Sequence, residues 1–181
     1  MKAVIQNEFG DANVLFYTEI EIPKIHEKEV LIKTEYTSVN YADIKKRMGN
    51  KGEGKFPLTL GLDVAGTIEE VAEGSPFSVG DRVIAFPEDG SYAEYVVANE
   101  QLVFRIPDSL SFKQAATAPT VSILAYILIH EIGQVRTTDT IVIHSAAGGV
   151  GSMLVQLAKQ AGVKRIIGTV GNLNKEGYVK I

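Results

Sequence analysis

Residues 140–162 read TIVIHSAAGGVGSMLVQLAKQAG, and this stretch decides the fold. Thr140–Ile143 is a β-branched run suited to a buried parallel strand. Ala146, Gly148 and Gly151 take the spacing of G-x-G-x-x-G, with alanine at the first glycine position. Apolar residues then recur at Val150, Met153, Leu154, Leu157, Ala158 and Ala161, the spacing of one helix face. Strand, glycine loop and helix in this order put free N–H groups and a positive dipole end where a pyrophosphate can bind. A tight strand-to-helix turn without a ligand is the competing reading, and the correct strand before the loop and helix after it favour a dinucleotide site. The expected cradle is Ala147, Gly148, Gly149, Val150 and Gly151.

The next strand is expected at Arg165–Thr169, which makes the unit strand–loop–helix–strand, the opening of a parallel α/β sheet. An NAD site carries Asp or Glu at the end of that strand, about 20 residues past the loop, on the ribose 2′-hydroxyl. Here the sequence continues Gly168-Thr169-Val170-Gly171-Asn172, and the first acid is Glu176. No carboxylate stands ready to repel a 2′-phosphate, and Lys175 is near enough in sequence to neutralise one, although a solvated surface lysine is equally compatible. NADPH is the expected cofactor, with Gly168, Thr169, Gly171 and Lys175 at its adenosine end.

Upstream of the loop, Ser111-Phe112-Lys113-Gln114 forms a capping box that opens a short helix. Pro119 interrupts it, and a second helix is expected over Thr120–Ile132. That segment is apolar almost all round, which predicts burial, with Gly133 as its stop. Before Pro107 the pattern is one of short apolar or alternating runs: Ala3–Ile5, Leu15–Ile22, Glu29–Val39, Asp63–Val71, Arg82–Phe86, Ala93–Val97 and Leu102–Ile106. Turn residues separate them, as in a compact β-barrel or sandwich. One helix interrupts at Tyr41–Met48, and the glycine-bearing loop from Gly49 to Pro57 is expected to be mobile. The expected domains are residues 1–115 and 116–181.

The chain has 181 residues, 45% of them apolar and 22% charged, which excludes wholesale disorder. Lysine and arginine number 18 against 22 acids, for a net charge of −4, and no basic stripe marks a nucleic-acid binder. There is no cysteine, so disulfides, thiolate metal sites and cysteine nucleophiles are all excluded. The start, MKAVIQNEFG, lacks the apolar core of a signal peptide. The most apolar run, Val121–Ile129, is shorter than the ~20 residues a spanning helix needs. A soluble, cytoplasmic protein with neither membrane nor nucleic-acid partner is expected.

The segments SVNYADIKKRMG, GLDVAGTIEEVAEG, VGDRVIAF, GSYAEYVV, SFKQAAT and HSAAGGVG, in that order, resemble the medium-chain dehydrogenase/reductase superfamily. Within it the chain looks most like the zinc-independent quinone oxidoreductases, the zeta-crystallin-like group. The resemblance implies an α/β-plus-β fold: a GroES-like β-barrel domain that binds substrate, then the first part of a Rossmann parallel-sheet domain. Zinc-dependent relatives carry an early cysteine within the segment here reading Thr37–Asp43 and His-Glu where this chain has Leu62-Asp63. Neither the cysteine nor the histidine is present, so no catalytic metal is expected.

The resemblance further implies that Asn40 and Asp43 line the nicotinamide cleft. Asn40 would hydrogen-bond cofactor or substrate oxygen, and Asp43 would orient that pair or relay a proton; a helix cap and an ordinary first-turn acid are the plainer readings. Tyr126 matches a position beside the cofactor. Lys45 stands where some quinone reductases carry tyrosine, and Leu124 replaces a common threonine. The implied activity is NADPH-dependent hydride transfer to a quinone, enone or related activated carbonyl or alkene, in a homodimer. Two alternatives stand beside it: a 2-enoyl-thioester reductase, and a non-catalytic nucleotide-binding remnant or structural protein of the crystallin type. A full dinucleotide fold has about six parallel strands, and this chain reaches the second, so a truncated polypeptide of doubtful activity is expected.

Overall fold

The computed structural model describes residues 1–50, 54–87 and 90–178. It divides into two compact units, Met1–Pro119 and Thr120–Ile181. Part of the loop expected to be mobile, residues 51–53, lies outside the described residues.

The described residues of the first unit form eight strands. These are β1 (Lys2–Gln6), β2 (Leu15–Glu19), β3 (Glu29–Thr37), β4 (Leu58–Thr59), β5 (Val64–Val71), β6 (Arg82–Ala85), β7 (Tyr95–Asn99) and β8 (Val103–Arg105). They pair antiparallel in two sheets, β2-β1-β4 and β7-β3-β5-β6-β8. The sheets meet at the Ala3–Ala93 bridge, where Glu94 N–H also donates to the Lys2 carbonyl at 3.0 Å. The barrel is therefore assembled from two open sheets rather than one closed ladder. Seven strands coincide with the apolar runs of the sequence; β4 is an addition, too short to show a period.

Alternation decides the core. Val30 and Ile32 of β3, Val64 and Ile68 of β5, Val83 and Ala85 of β6, and Val96 and Ala98 of β7 point to the same side and form one buried cluster. Gly66 lies against the Lys33 carbonyl so closely that no Cβ fits, next to a register shift between β3 and β5. On the other face Ala65 packs on Ala115 and Ala116 of helix α2 (Phe112–Ala116). Ser111 and Gln114 close the capping box there, with Ser111 N–H donating to Gln114 Oε1 at 3.2 Å. Arg82 fixes the approach to this helix by donating to the carbonyls of Pro107 and Leu110 and lying 4.6 Å above the Phe112 ring. Helix α1 (Tyr41–Arg47) follows β3 directly.

The second unit contains the two parallel strands β9 (Thr140–Ile143) and β10 (Arg165–Gly168), in register from Thr140–Arg165 to Ile143–Gly168. Helix α3 (Pro119–Tyr126) runs on into a π-type segment, Ile127–Ile132. Pro119 opens this helix at its first position, where a missing N–H costs nothing. Helix α4 (Gly149–Gln160) links the strands.

Three expectations are corrected in this unit. The apolar helix is not buried all round: Ala125 and Ile129 are buried, whereas Leu124 is 44% and Ile132 70% exposed. β9 is not a fully buried strand either, since Val142 is exposed and only Ile143 is fully covered. Among the described residues β9 pairs with β10 alone, so the sheet offers too little area to cover these side chains. The inward face of α4 is centred on Gly151, Val155 and Ala158, with Leu154 beside them, rather than on Val150, Met153 and Leu157. Close approach of Gly151 to the preceding loop sets this rotation. Gly133 ends the π segment without a left-handed conformation; it is glycine because a Cβ would sit 2.6 Å from the Leu128 carbonyl oxygen.

Candidate active site and nucleotide cradle

Two groups of residues carry the chemistry, one in each unit. In the second, Thr169 N–H donates to the Ile143 carbonyl, and Ala146 N–H donates to the Thr169 carbonyl, both at 2.9 Å. The ladder thus continues past both strands and draws the loop over the sheet. Ser145 takes the left-handed conformation (φ 53°), so the sharp bend falls one residue before the alanine that replaces the first glycine. Ala146 is fully buried, and a Cβ on Gly168 would lie 2.9 Å from the Ala146 Cβ. Gly151 has no room for a side chain against the Ser145 carbonyl, and a Cβ there would lie 2.8 Å from Ala146 Cα. Glycine at 151 and 168 lets helix, loop and strand close on one another.

Gly148 caps α4 in an extended conformation, its N–H donating to the Ser145 carbonyl at 2.8 Å. Gly148 and Gly149 are exposed, Ala147 and Val150 half-buried. The opening N–H groups of a helix have no partner within it, and here they emerge beside two exposed glycines, Gly148 and Gly149, with the Val121 side chain next to Gly149. The residues present therefore fit a diphosphate. Thr169 Oγ1 lies 3.1 Å from His144 Nδ1 and 3.4 Å from Ser145 N, holding the loop's entry. His144 is thus a hydrogen-bonded, exposed residue.

The remaining predicted cofactor residues are more scattered. Gly171 has open space around it, and Lys175 is exposed within the 3₁₀ stretch Leu173–Tyr178. Tyr126 is 52% exposed, its ring 4.4 Å from that of His130. Its neighbour is another surface ring rather than core.

In the first unit, Asn40 and Asp43 open helix α1. Asp43 is 2% exposed, and each of its oxygens is occupied. Oδ2 accepts Asn40 N–H at 2.7 Å and the Tyr92 hydroxyl at 3.3 Å, while Oδ1 accepts Gly61 N–H at 3.1 Å. Burial above all, then the Asp43 charge and hydrogen bond, raises the Tyr92 phenol well above the ordinary tyrosine range. Tyr92 stays protonated and donates. Asp43 thereby ties the helix start to the turn before β5 and the segment before β7.

A second carboxylate stands beside this one. Asp63, 1% exposed, accepts Ser38 Oγ at 2.5 Å, Ser38 N–H at 3.3 Å and Asn40 Nδ2 at 3.4 Å. Asn40 Nδ2 also donates to Ser38 Oγ at 2.8 Å. Thr37 Oγ1 donates to the Asp63 carbonyl at 2.8 Å and lies 2.6 Å from Ser91 Oγ. Ser38, Asp63, Ser91 and Tyr92 were not singled out as site residues from the sequence. An acid entering an apolar strand at Asp63 was the available signal, but its partners come from segments distant along the chain. Among the described residues no three His, Cys, Asp or Glu side chains are grouped so that they could hold a metal ion, and no helix is long and apolar enough to cross a membrane.

An antiparallel β unit bearing a buried polar cluster, followed by a parallel strand–glycine loop–helix–strand, is the order of a GroES-like domain and the first part of a Rossmann fold. Residues 26–108 match the alcohol dehydrogenase GroES-like domain. Human quinone oxidoreductase is 37% identical over 175 residues, covering 94% of this chain and 53% of that protein. The synaptic vesicle membrane protein VAT-1 homolog-like of Mus musculus is 32% identical over 97% of this chain and 43% of its own length. The crystal structure of Escherichia coli quinone oxidoreductase complexed with NADPH superposes with a TM-score of 0.94 at 27% identity, covering 99% of this chain and 55% of that one. The chain carries a GroES-like domain match and is similar along nearly its whole length to quinone oxidoreductases of the medium-chain dehydrogenase/reductase type. It spans about half the length of the curated relatives it matches.

Proposed function

We propose that the protein is an NADPH-dependent oxidoreductase of the zinc-independent type, acting on a quinone, an enone or a related activated carbonyl or alkene. The observation that carries this reading is the exposed opening of α4 at Gly148 and Gly149, beneath which Gly151 and Gly168 admit no side chain. Backbone N–H groups of residues 149–151 would hold the diphosphate, with Thr169 fixing the loop. Bound NADPH supplies the hydride; the protein supplies position and electrostatics. Asn40 would contact the ligand. Asp43, with its oxygens committed to Asn40, Gly61 and Tyr92, would act as a positioning residue. Preference for the phosphorylated cofactor is supported by the absence of an acid before Glu176 and by exposed Lys175.

NADPH titration followed by fluorescence tests the reading. Saturable binding is expected, abolished by Gly148→Asp and weakened for NADPH far more than for NADH by Lys175→Glu. No response at millimolar cofactor overturns it. A second reading, nucleotide binding without turnover, is favoured by the engagement of both Asp43 oxygens within the protein, by Asn40, Gly61 and Tyr92. Binding with no quinone-dependent NADPH oxidation would select it.

A further inference from the structure

We propose that Asp63 and Ser38 lock the Asn40 side chain so that it offers a ligand a hydrogen-bond acceptor and no donor. The inference rests on the nicotinamide-nucleotide reading above for its ligand, but its geometry lies within the first unit. An ionised carboxylate only accepts hydrogen bonds. Asp63 Oδ2 can therefore be faced only by the nitrogen of the Asn40 amide, at 3.4 Å, and never by its oxygen.

Ser38 sets the direction of the rest. Its hydroxyl spends its one proton on Asp63 Oδ1, so toward Asn40 Nδ2, 2.8 Å away, it can only accept. Both amide protons of Asn40 are then committed, one to Ser38 and one to Asp63. Turning the amide over would point its oxygen at a serine whose proton is spent and at a buried carboxylate. Such a contact inside the protein leaves acceptors unpaired at high cost. The main chain is pinned as well, because Asn40 N–H donates to Asp43.

What remains is the Asn40 oxygen. It faces the Asp43 N–H in the capping box, but that N–H donates to the Asn40 main-chain carbonyl at 3.0 Å, which leaves the side-chain oxygen with lone pairs for a ligand. Exposed Val39 and Tyr41 flank the residue along the chain. A ketone or quinone oxygen is itself an acceptor and has nothing to gain from this group. A ribose hydroxyl or a carboxamide N–H of a nicotinamide nucleotide can donate to it. Asn40 is thereby assigned to the cofactor rather than to the polarisation of a substrate carbonyl, and Ser38 and Asp63 become its positioning residues.

The orientation is read without ligand, from the Asn40 side-chain amide resonances of the ¹⁵N-labelled chain, identified by their loss in Asn40→Ala. Both protons should exchange slowly with water, and Ser38→Ala or Asp63→Asn should speed that exchange by about tenfold or more. Fast exchange of both protons in the unsubstituted chain, unchanged by either substitution, overturns the proposal whether or not NADPH binds.

The second arm moves the charge from one member of the pair to the other. Asn40→Asp alone sets carboxylate against carboxylate and should weaken NADPH about tenfold. Adding Asp63→Asn rebuilds the pair with donor and acceptor exchanged, still presenting an oxygen outward, and should restore affinity. A double variant that melts like the unsubstituted chain yet stays as weak as Asn40→Ala would show that the amide protons themselves are needed by the ligand, and the proposal fails. If the unsubstituted chain binds no NADPH, the functional reading fails, and the exchange measurement still decides the orientation.

Discussion

The Tyr92 hydroxyl lies 3.3 Å from the Asp43 carboxylate, and this bond ties the segment entering β7 to the first turn of α1. Asp43 is buried, so losing a donor leaves a desolvated acceptor underused. Tyr92→Phe should cost about 1–3 kcal/mol. Urea denaturation of the purified chain measures it, and an unchanged midpoint would remove the bond from the stability of this unit.

The same phenol shapes the alkaline limb of stability. Its native pKa lies above the ordinary value of 10.0. As pH rises past that value, the unfolded chain releases its proton while the native state keeps it, so stability falls from about pH 10 upward. Tyr92→Phe should flatten this slope. At the acid end Asp81 is lowered, first by the Ser78 N–H and then by Arg105, against the opposing effect of burial. Its contribution is complete above the ordinary carboxylate value and is lost as pH falls through the native one. Asp81→Asn should flatten that limb, as thermal melts across a pH series would record.

Gly168→Ala and Gly151→Ala test the closeness of the nucleotide loop. A Cβ at 168 would lie 2.9 Å from that of Ala146, and one at 151 would run into the Ser145 carbonyl. Each should cost about 1–3 kcal/mol through forced movement of helix against strand. Gly148→Ala, whose Cβ would meet only the Ser145 oxygen at 3.2 Å, should cost less. Equal destabilisation at all three would contradict the packing described.

Burial separates the two units sharply. Ile32 is fully buried in the β cluster, and Ile32→Ala should cost about 2–5 kcal/mol. Leu124, 44% exposed, should lose under about 1 kcal/mol on the same truncation because much of its surface already meets water. Chemical denaturation compares the two, and a Leu124 loss as large as that of Ile32 would mean that α3 is covered in solution.

Much of this architecture was legible along the chain because its causes are local. Alternation placed β1–β3 and β5–β8, the Ser111–Gln114 capping box placed α2, and the glycine spacing at 148 and 151 placed the start of α4. Each depends on residues within a few positions of one another. The quinone oxidoreductase resemblance was likewise carried by short ordered segments, and the similarity to the human and Escherichia coli quinone oxidoreductases runs along the same chain.

Other features required the chain to be folded. Burial of Thr120–Ile132 and Thr140–Ile143 could not be deduced from their apolar character, since burial depends on what other elements supply, and the two-stranded sheet supplies little. The inward face of α4 followed from contact of Gly151 with Ser145, a fit of backbones that periodicity does not encode. Asn40 and Asp43 could be named from sequence, but not what their atoms do. Asp63 lies 23 residues from Asn40 and Tyr92 lies 49 from Asp43. A carboxylate that fixes the orientation of a distant amide acts through space, and only the folded backbone brings those atoms within hydrogen-bond reach.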